Sequence, residues 1–575
     1  MKSKKHSRLL ALTLALTLVA GMALPVQAKT AKQAEDLTGK LVILHTNDTH
    51  GRDSAKADQS LGTAAVSWLK ADLTAKGADV LLFSAGDVIQ GKPLVNITKG
   101  QTAIEFMNSA HYNLMVPGNH EFDYGFKNLK NLQSQAEFPF LAANILDKET
   151  GKPVFPANVI INTAHGYTVG VFGLDTPETQ TKSHPKNVEG LTFLSGKDLY
   201  KCAQEQIDYL KGQGCNLIVC VGHLGTDESS APDRSYDVIQ NTTGINLFID
   251  GHSHTEIKGG EKVNDTLLVS TGEYLNNIGQ IVFDGTNLTA DLISAKGYEG
   301  GYDEQIAVAT ANYDIIIDNE YGKVFGKTLV NLNGTRSGGN AVDADGNVVA
   351  SFPEGEGNRT CETNLGDFAT DAILTIARRE SGKTVDAAIT NGGGIRETIP
   401  AGDITKNDMI TVFPFGNEIT LVTVTGSELL EALEAACSTC PEPLGAFPQV
   451  SGITFTIDAG MPYVKGAQYP DSTYFAPAAP GARVKDVKVN GEPLSLTKEY
   501  TIATNDFTAA GGDTYYAFKR ANLTNSVSTG ISLEDALIEY ITEDLNGVIG
   551  EDYAAPKGRI DVNYDSLVMP LEPAA

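Results

Sequence analysis

Five apolar runs in the first half of this chain each stop at Asp, Asn or His, usually beside Gly. Leu41–Leu44 leads into Thr46-Asn47-Asp48-Thr49-His50, and Val80–Phe83 leads into Gly86-Asp87. Leu114–Val116 leads into Gly118-Asn119-His120-Glu121-Phe122-Asp123. Leu217–Val221 leads into Gly222-His223, and Ile245–Ile249 into Gly251-His252-Ser253-His254. Runs this short and apolar read as buried strands. Thr168–Phe172 is another, and Thr266–Ser270 and Gly279–Phe283 finish the half. Helical patterns lie between them at Thr63–Ala75, Thr102–Ser109 and Lys197–Lys211. Strand–helix alternation predicts an α/β domain with a buried, mixed sheet. Asp303–Tyr321 then reads as one amphipathic connector helix. A second α/β half runs from Val324 to Asn563, with helices at Asn364–Arg379 and Gly426–Ala436 and strands at Ala387–Thr390 and Ile419–Val424. Residues 457–482, rich in Gly, Pro and Tyr, read as loop insertions without an assignable role.

Of the 575 residues, 41% are hydrophobic and 20% charged, a globular balance that excludes a disordered or fibrous chain. The net charge of −27 excludes non-specific binding to nucleic acid or to anionic membranes. A phosphate substrate therefore needs cations placed locally. Lys2, Lys4, Lys5 and Arg8, the apolar run to Leu24, and Val26-Gln27-Ala28 predict a signal peptide over 1–28 and an exported protein. No later segment is long and apolar enough for stable membrane insertion. Export permits disulfides among the six cysteines, and Cys437-Ser-Thr-Cys440 reads as a structural bridge or as free thiols.

In open α/β sheets the carboxyl ends of strands line the ligand crevice. Taken singly, a Gly-Asp or a Gly-His is an ordinary turn. Together these ends supply seven potential ligands: Asp48, His50, Asp87, Asn119, His223, His252 and His254. Asp48/His50 and His252/His254 are i, i+2 pairs, whose side chains share a face in extended backbone. Seven donors exceed one tetrahedral ion and suit two ions sharing a carboxylate. Imidazole with carboxylate fits Zn, Mn or Fe. His120, next to Asn119, belongs at the rim, where Asp123 can accept from one ring nitrogen and aim the other at a phosphate. Asp123 also reads as the N-cap of the next helix. Glu121, His45, His111, His165 and His184 read as structural.

Asp-x-His, Gly-Asp, Gly-Asn-His-Glu-Phe-Asp, Gly-His and Gly-His-x-His, in that order, resemble the calcineurin-type metallophosphoesterases. The flanks Leu-His-Thr-Asn-Asp-Thr-His-Gly and Gly-Asn-His-Glu-Phe-Asp-Tyr-Gly are similar to the 5′-nucleotidase branch. The resemblance implies a four-layer α/β/β/α catalytic domain over 38–300, a linker helix over 301–322, and a separate α/β substrate domain over 323–565. It implies that Asp48, His50, Asp87 and His254 bind one divalent ion. Asp87, Asn119, His223 and His252 would bind the other, with Asp87 bridging and His120 and Asp123 catalytic. In the second half, Asn391-Gly392-Gly393-Gly394-Ile395-Arg396, Phe413-Pro414-Phe415-Gly416-Asn417 and Thr504-Asn505-Asp506-Phe507…Asp513 are similar to the 5′-nucleotidase C-terminal domain. There the resemblance implies that Phe415 and Phe507 sandwich a nucleobase and that Asn417 and Asp513 bond base or ribose. Arg359, Asn391, Gly393 and Arg396 would hold the rest of the nucleotide. Some relatives carry Arg where this chain has Thr363. The implied activity is a phosphohydrolase acting on nucleoside 5′-monophosphates, with UDP-sugars open to the same site. A 2′,3′-cyclic-nucleotide 2′-phosphodiesterase/3′-nucleotidase is the second reading. A non-catalytic nucleotide-binding surface protein is the third, and the complete ligand set speaks against it. Metal and base sites on different halves predict a rotation about the connector helix during turnover.

Overall fold

Alternation within each strand decides how the first half is layered. The computed structural model describes residues 36–342 and 348–564; the leader expected over 1–28 lies outside the described residues. Leu41–Thr46 is the centre of a five-stranded sheet ordered Leu288–Ser294, Asn277–Phe283, Leu41–Thr46, Asp79–Ser84, Leu114–Met115. It pairs parallel with Asp79–Ser84 and antiparallel with Asn277–Phe283. A six-stranded sheet runs Glu261–Val263, Thr266–Val269, Leu247–Ile249, Leu217–His223, Thr168–Asp175, Asn158–Asn162. Both sheets are mixed, as the sequence predicts.

Successive side chains on a strand point to opposite faces. Leu41, Ile43, Leu81 and Phe83 therefore meet Val169, Val171, Val219 and Ile249 between the two sheets. Val42, Leu44 and Leu82 face the other way, onto helices that contribute Ala65, Leu69, Phe106 and Leu132. On the far sheet, Phe172, Ile218, Cys220 and Phe248 meet Leu199, Ala203 and Ile207 of helix Lys197–Gly212. The order is helix, sheet, sheet, helix. Both sheets are apolar on both faces because both are covered on both faces.

Helix Glu304–Tyr321 starts at Asp303, whose carboxylate caps Gln305 N and Ile306 N. Beyond it, a five-stranded sheet runs Pro448–Ser451, Ala387–Asn391, Glu499–Asn505, Glu418–Thr425, Ser526–Ser532. Helix Asn364–Ser381 packs Phe368, Ala372 and Ile373 on Ala388, Leu421 and Ala503 of one face. Helix Gly426–Ala436 packs Leu429 and Leu433 on Ile389, Val422 and Ile502 of the other.

One expectation changes, and of the two readings of the cysteines the free-thiol one holds. Residues 457–482 are not merely loop: Lys465–Gln468 and Phe475–Pro477 form a two-stranded hairpin, because Tyr469 and Tyr474 bury their rings in the second-half core. All six cysteines are unbridged, and Cys220 and Cys202 sit in the core under the second sheet.

Phe83 is fully buried between the two sheets. Phe83→Ala should lower unfolding free energy by about 3–5 kcal/mol in urea denaturation; a loss under about 1 kcal/mol would contradict this packing.

Candidate functional site

The strand ends converge on one place. Asp48 N donates to Gly86 O (3.0 Å), His50 N to Asp87 O (3.0 Å), His120 N to Asp87 Oδ1 (2.9 Å) and His252 N to Asp48 Oδ2 (3.0 Å). Asp48, His50, Asp87, His252 and His254 all have left-handed backbone, with φ of 49°, 47°, 56°, 79° and 59°. Such conformations are costly for residues with a Cβ and concentrate at functional sites. Glu121 clamps two of the loops: its buried carboxylate accepts from Asp87 N (2.8 Å), Val88 N (2.7 Å) and Gly118 N (2.6 Å). That is the structural role expected of it.

Each of the four histidines has one ring nitrogen against a fixed oxygen. His223 Nδ1 lies 2.6 Å from Ala85 O, and His50 Nδ1 lies 3.0 Å from Gln90 O. His252 Nε2 lies 2.8 Å from Glu178 Oε2, and His254 Nδ1 is paired with the Glu273 carboxylate. These oxygens only accept, so the outer nitrogen of each ring carries the proton and the inner one points into the cluster. The inner atoms face each other closely. His50 Nε2 and His254 Nε2 are 3.2 Å apart, His252 Nδ1 and Asn119 Oδ1 2.9 Å, and His223 Nε2 and Asp87 Oδ2 3.1 Å. Apart from that ion pair, buried His223 Nε2 has no hydrogen-bond partner.

Ligand atoms facing at such distances need positive charge between them, a proton on the ring or a bound cation. Burial alone would raise Asp87, but the facing His223 ring, itself raised by Asp87, holds it well below the usual carboxylate range. Burial alone would lower His254, but Glu273 and Asp48 raise it. The pocket thus attracts cations, and its donors are those borderline divalent metals prefer. Ligand atoms of Asp48, His50 and His254, and of Asp48, Asp87 and His223, lie within 4.8 Å of one another, so divalent ions fit here. Asp48 belongs to both groups in this geometry.

His120 Nδ1 lies 2.7 Å from Asp123 Oδ2. Burial pushes His120 down to about 3, so the ring is neutral. Asp123 is not an N-cap: Gly125 holds that position for helix Phe126–Gln135, while the Asp123 carboxylate serves His120 and Ser183 Oγ (3.3 Å).

A cavity opens from this cluster. Asp87, Asn119, His120, Asp123, His252 and His254 line one side. Every second-half residue expected at a nucleotide lines the other: Arg359, Asn391, Gly393, Arg396, Phe415, Asn417, Phe507 and Asp513. The strand-end rule holds here too, since Ala387–Asn391 ends on Asn391 and Glu499–Asn505 runs into Phe507. Asp513 Oδ2 accepts from Asn391 Nδ2 (3.0 Å). The Phe415 ring stacks on His120, with centroids 5.6 Å apart and planes at 25°. Arg359 has no carboxylate partner among the described residues; burial, then Arg336 and Arg396, push it down to about 9. Thr363 caps helix Asn364–Ser381 through Gly366 N, which accounts for a short hydroxyl at that position.

Sequence reasoning missed Glu178 and Glu273, the acceptors behind His252 and His254. Both follow strand ends, Thr168–Asp175 and Thr266–Val269. They lie three and four residues past runs visible in the sequence, but nothing local marks them as partners of a histidine. Lys182, His184 and Arg336 also line the cavity, although His184 reads as structural in the sequence.

Two family models match the chain: "Calcineurin-like phosphoesterase" over residues 41–256 and "5′-nucleotidase, C-terminal domain" over 337–520. The first covers all seven clustered residues with His120 and Asp123; the second covers all eight across the cavity. A 5′-nucleotidase of Vibrio cholerae is 29% identical, over 97% of this chain and 99% of the relative. A 5′-nucleotidase of Diplobatis ommata is 29% identical over 92% of this chain and 91% of the relative. Among solved structures, a 5′-nucleotidase precursor from Thermus thermophilus superposes with TM-score 0.74 at 28% identity, over 91% of this chain and 99% of that one. The sulfate thiohydrolase SoxB of the same organism, at 18% identity and TM-score 0.68, shares the fold.

A Cβ on Gly118 would lie 2.5 Å from Asp87 Oδ1 and 2.6 Å from His223 Nε2. Gly118→Ala should therefore weaken divalent-cation binding in calorimetry by about tenfold or more. Unchanged affinity would mean that cations do not bind between these two side chains.

Proposed function

The chain belongs to the 5′-nucleotidase family, a calcineurin-like phosphoesterase domain followed by a 5′-nucleotidase C-terminal domain, and from that premise we propose that it releases phosphate from nucleoside 5′-monophosphates. What supports this most is the shared cavity, where a guanidinium pair and two phenylalanines face His120 and the histidine–carboxylate cluster. Asp48, His50, Asp87 and His254 would hold one divalent ion and Asp87, Asn119, His223 and His252 the other. When bound, the ions would supply Lewis-acid activation of water and charge neutralisation at phosphorus.

The remaining work falls to the chain's own groups. Asp123 fixes His120 through Nδ1, leaving Nε2 for the phosphoryl group or the departing ribose oxygen. Arg359 and Arg396 meet the anionic part of the substrate, in a chain otherwise strongly acidic. Phe415 and Phe507 hold the base by stacking, which contributes about 1–3 kcal/mol per base with little discrimination. Asn417 and Asp513 bond base or ribose. Because Phe415 rests on His120, a base must displace it or use its other face. Substrate exchange would follow a rotation about helix Glu304–Tyr321, between a catalytic domain over 38–300 and a substrate domain over 323–565. The basic head and apolar run before Ala28 support export, and no helix among the described residues is long and apolar enough to cross a membrane.

Phosphate release from AMP, 3′-AMP, 2′,3′-cyclic AMP and a UDP-sugar, with and without chelator, tests this reading. AMP should be the best substrate, and chelation should abolish turnover. His120→Asn should lower kcat on AMP about 100- to 10,000-fold. Faster release from 3′-AMP or the cyclic nucleotide would transfer the assignment to the second activity, and turnover indifferent to chelator would overturn it.

A further inference from the structure

The hairpin within 457–482 reaches from the second half to the turn that carries Glu178. Tyr469 anchors it at home: its ring stacks on Tyr516 at 4.9 Å and its hydroxyl donates to Glu431 Oε1 (3.1 Å). Tyr469 N donates to Tyr474 O (2.9 Å), closing the hairpin's end. Tyr474 faces the first half. Its hydroxyl donates to Glu178 Oε1 (3.3 Å), and Lys182 Nζ lies 5.7 Å from its ring centroid.

Glu178 is the carboxylate that orients His252. Its other oxygen, Oε2, accepts from His252 Nε2 (2.8 Å) and Ser230 Oγ (2.9 Å). His252 Nδ1 in turn faces Asn119 Oδ1 at 2.9 Å. Tyr474 and Glu178 are only 9% and 2% exposed, so an acceptor left unpaired there is not repaired by bulk water. Lys182, on the same short helix turn as Glu178, sits 3.5 Å from Asp513 Oδ1 in the base site. Asp513 N also donates to Thr181 O (2.7 Å). This turn is held between the base site and the cluster, and the second half touches it at both ends.

We propose that Tyr474 is a positioning residue: its hydroxyl, arriving from the second half, fixes the Glu178 carboxylate and through it the ring of His252. The inference rests on the reading of His252 as a metal ligand. It gives the insertion a role that loop composition does not suggest. Seating of the second half and orientation of a ligand become one event.

Tyr474→Phe keeps the ring, its contact with Lys182 and nearly all of its volume. In the zinc-loaded full chain, zinc loss to a colorimetric chelator should accelerate about tenfold, and kcat should fall comparably with KM within about twofold. Thermal unfolding of the chelated protein should not move, which separates positioning from packing. Glu178→Gln should show the larger defect, and the double variant should be no worse than Glu178→Gln alone. Wild-type zinc release and kcat in Tyr474→Phe, or defects that multiply in the double variant, would overturn the proposal. Zinc release needs no substrate, so this arm decides even if nucleotide hydrolysis fails. A chain that takes up no divalent cation would overturn both readings.

Discussion

The whole site depends on the outer hydrogen bond of each clustered histidine. A free imidazole has two tautomers and rotates about two bonds. Here Ala85 O, Gln90 O, Glu178 and Glu273 each take one ring nitrogen. Tautomer and direction are settled together, and four lone pairs are aimed at two buried carboxylates and an amide. Two of the four acceptors are backbone oxygens at the end of strand Asp79–Ser84 or in the loop beyond it. The sheet therefore orients its own ligands. The five left-handed residues of the cluster are strained at about 1–3 kcal/mol each, a load only a well-packed scaffold tolerates. The sandwich, with apolar contacts on both faces of both sheets, is such a scaffold.

The second half repeats the principle with different chemistry. Two strands of its central sheet end on amides, Asn391 and Asn505, and neighbouring segments add arginines and aromatic rings rather than imidazoles. Charge divides accordingly. The first half gathers carboxylates and suits cations; the second presents Arg359 and Arg396 and suits an anion. A nucleotide monophosphate, with a planar base and a doubly charged end, matches that division along its length.

Much of this was legible before any coordinates, for a physical reason. Strand ends are short, local and marked by Gly, so the seven cluster residues could be picked out by position, while the eight across the cavity followed from resemblance to the 5′-nucleotidase C-terminal domain. What escaped was whatever depends on a tertiary approach. Glu178 and Glu273 sit two or more residues past a strand end and become meaningful only once a histidine from another strand arrives. Arg336 and Lys182 carry no local pattern. Tyr474 lies in a segment whose Gly and Pro content suggested loop, while its two tyrosines bury in the second-half core and the Tyr474 hydroxyl reaches Glu178 of the first half. Asp123 had two readings in the sequence: its carboxylate does sit against His120, and the helix cap falls instead to Gly125.

The central claim is that these aimed lone pairs enclose two cations. Anomalous diffraction from crystals of the metal-loaded chain tests it directly. The account predicts two peaks per chain, one against Asp48, His50 and His254 and one against Asn119, His223 and His252, both touching Asp87. A single peak, or peaks bound by other residues, would contradict it.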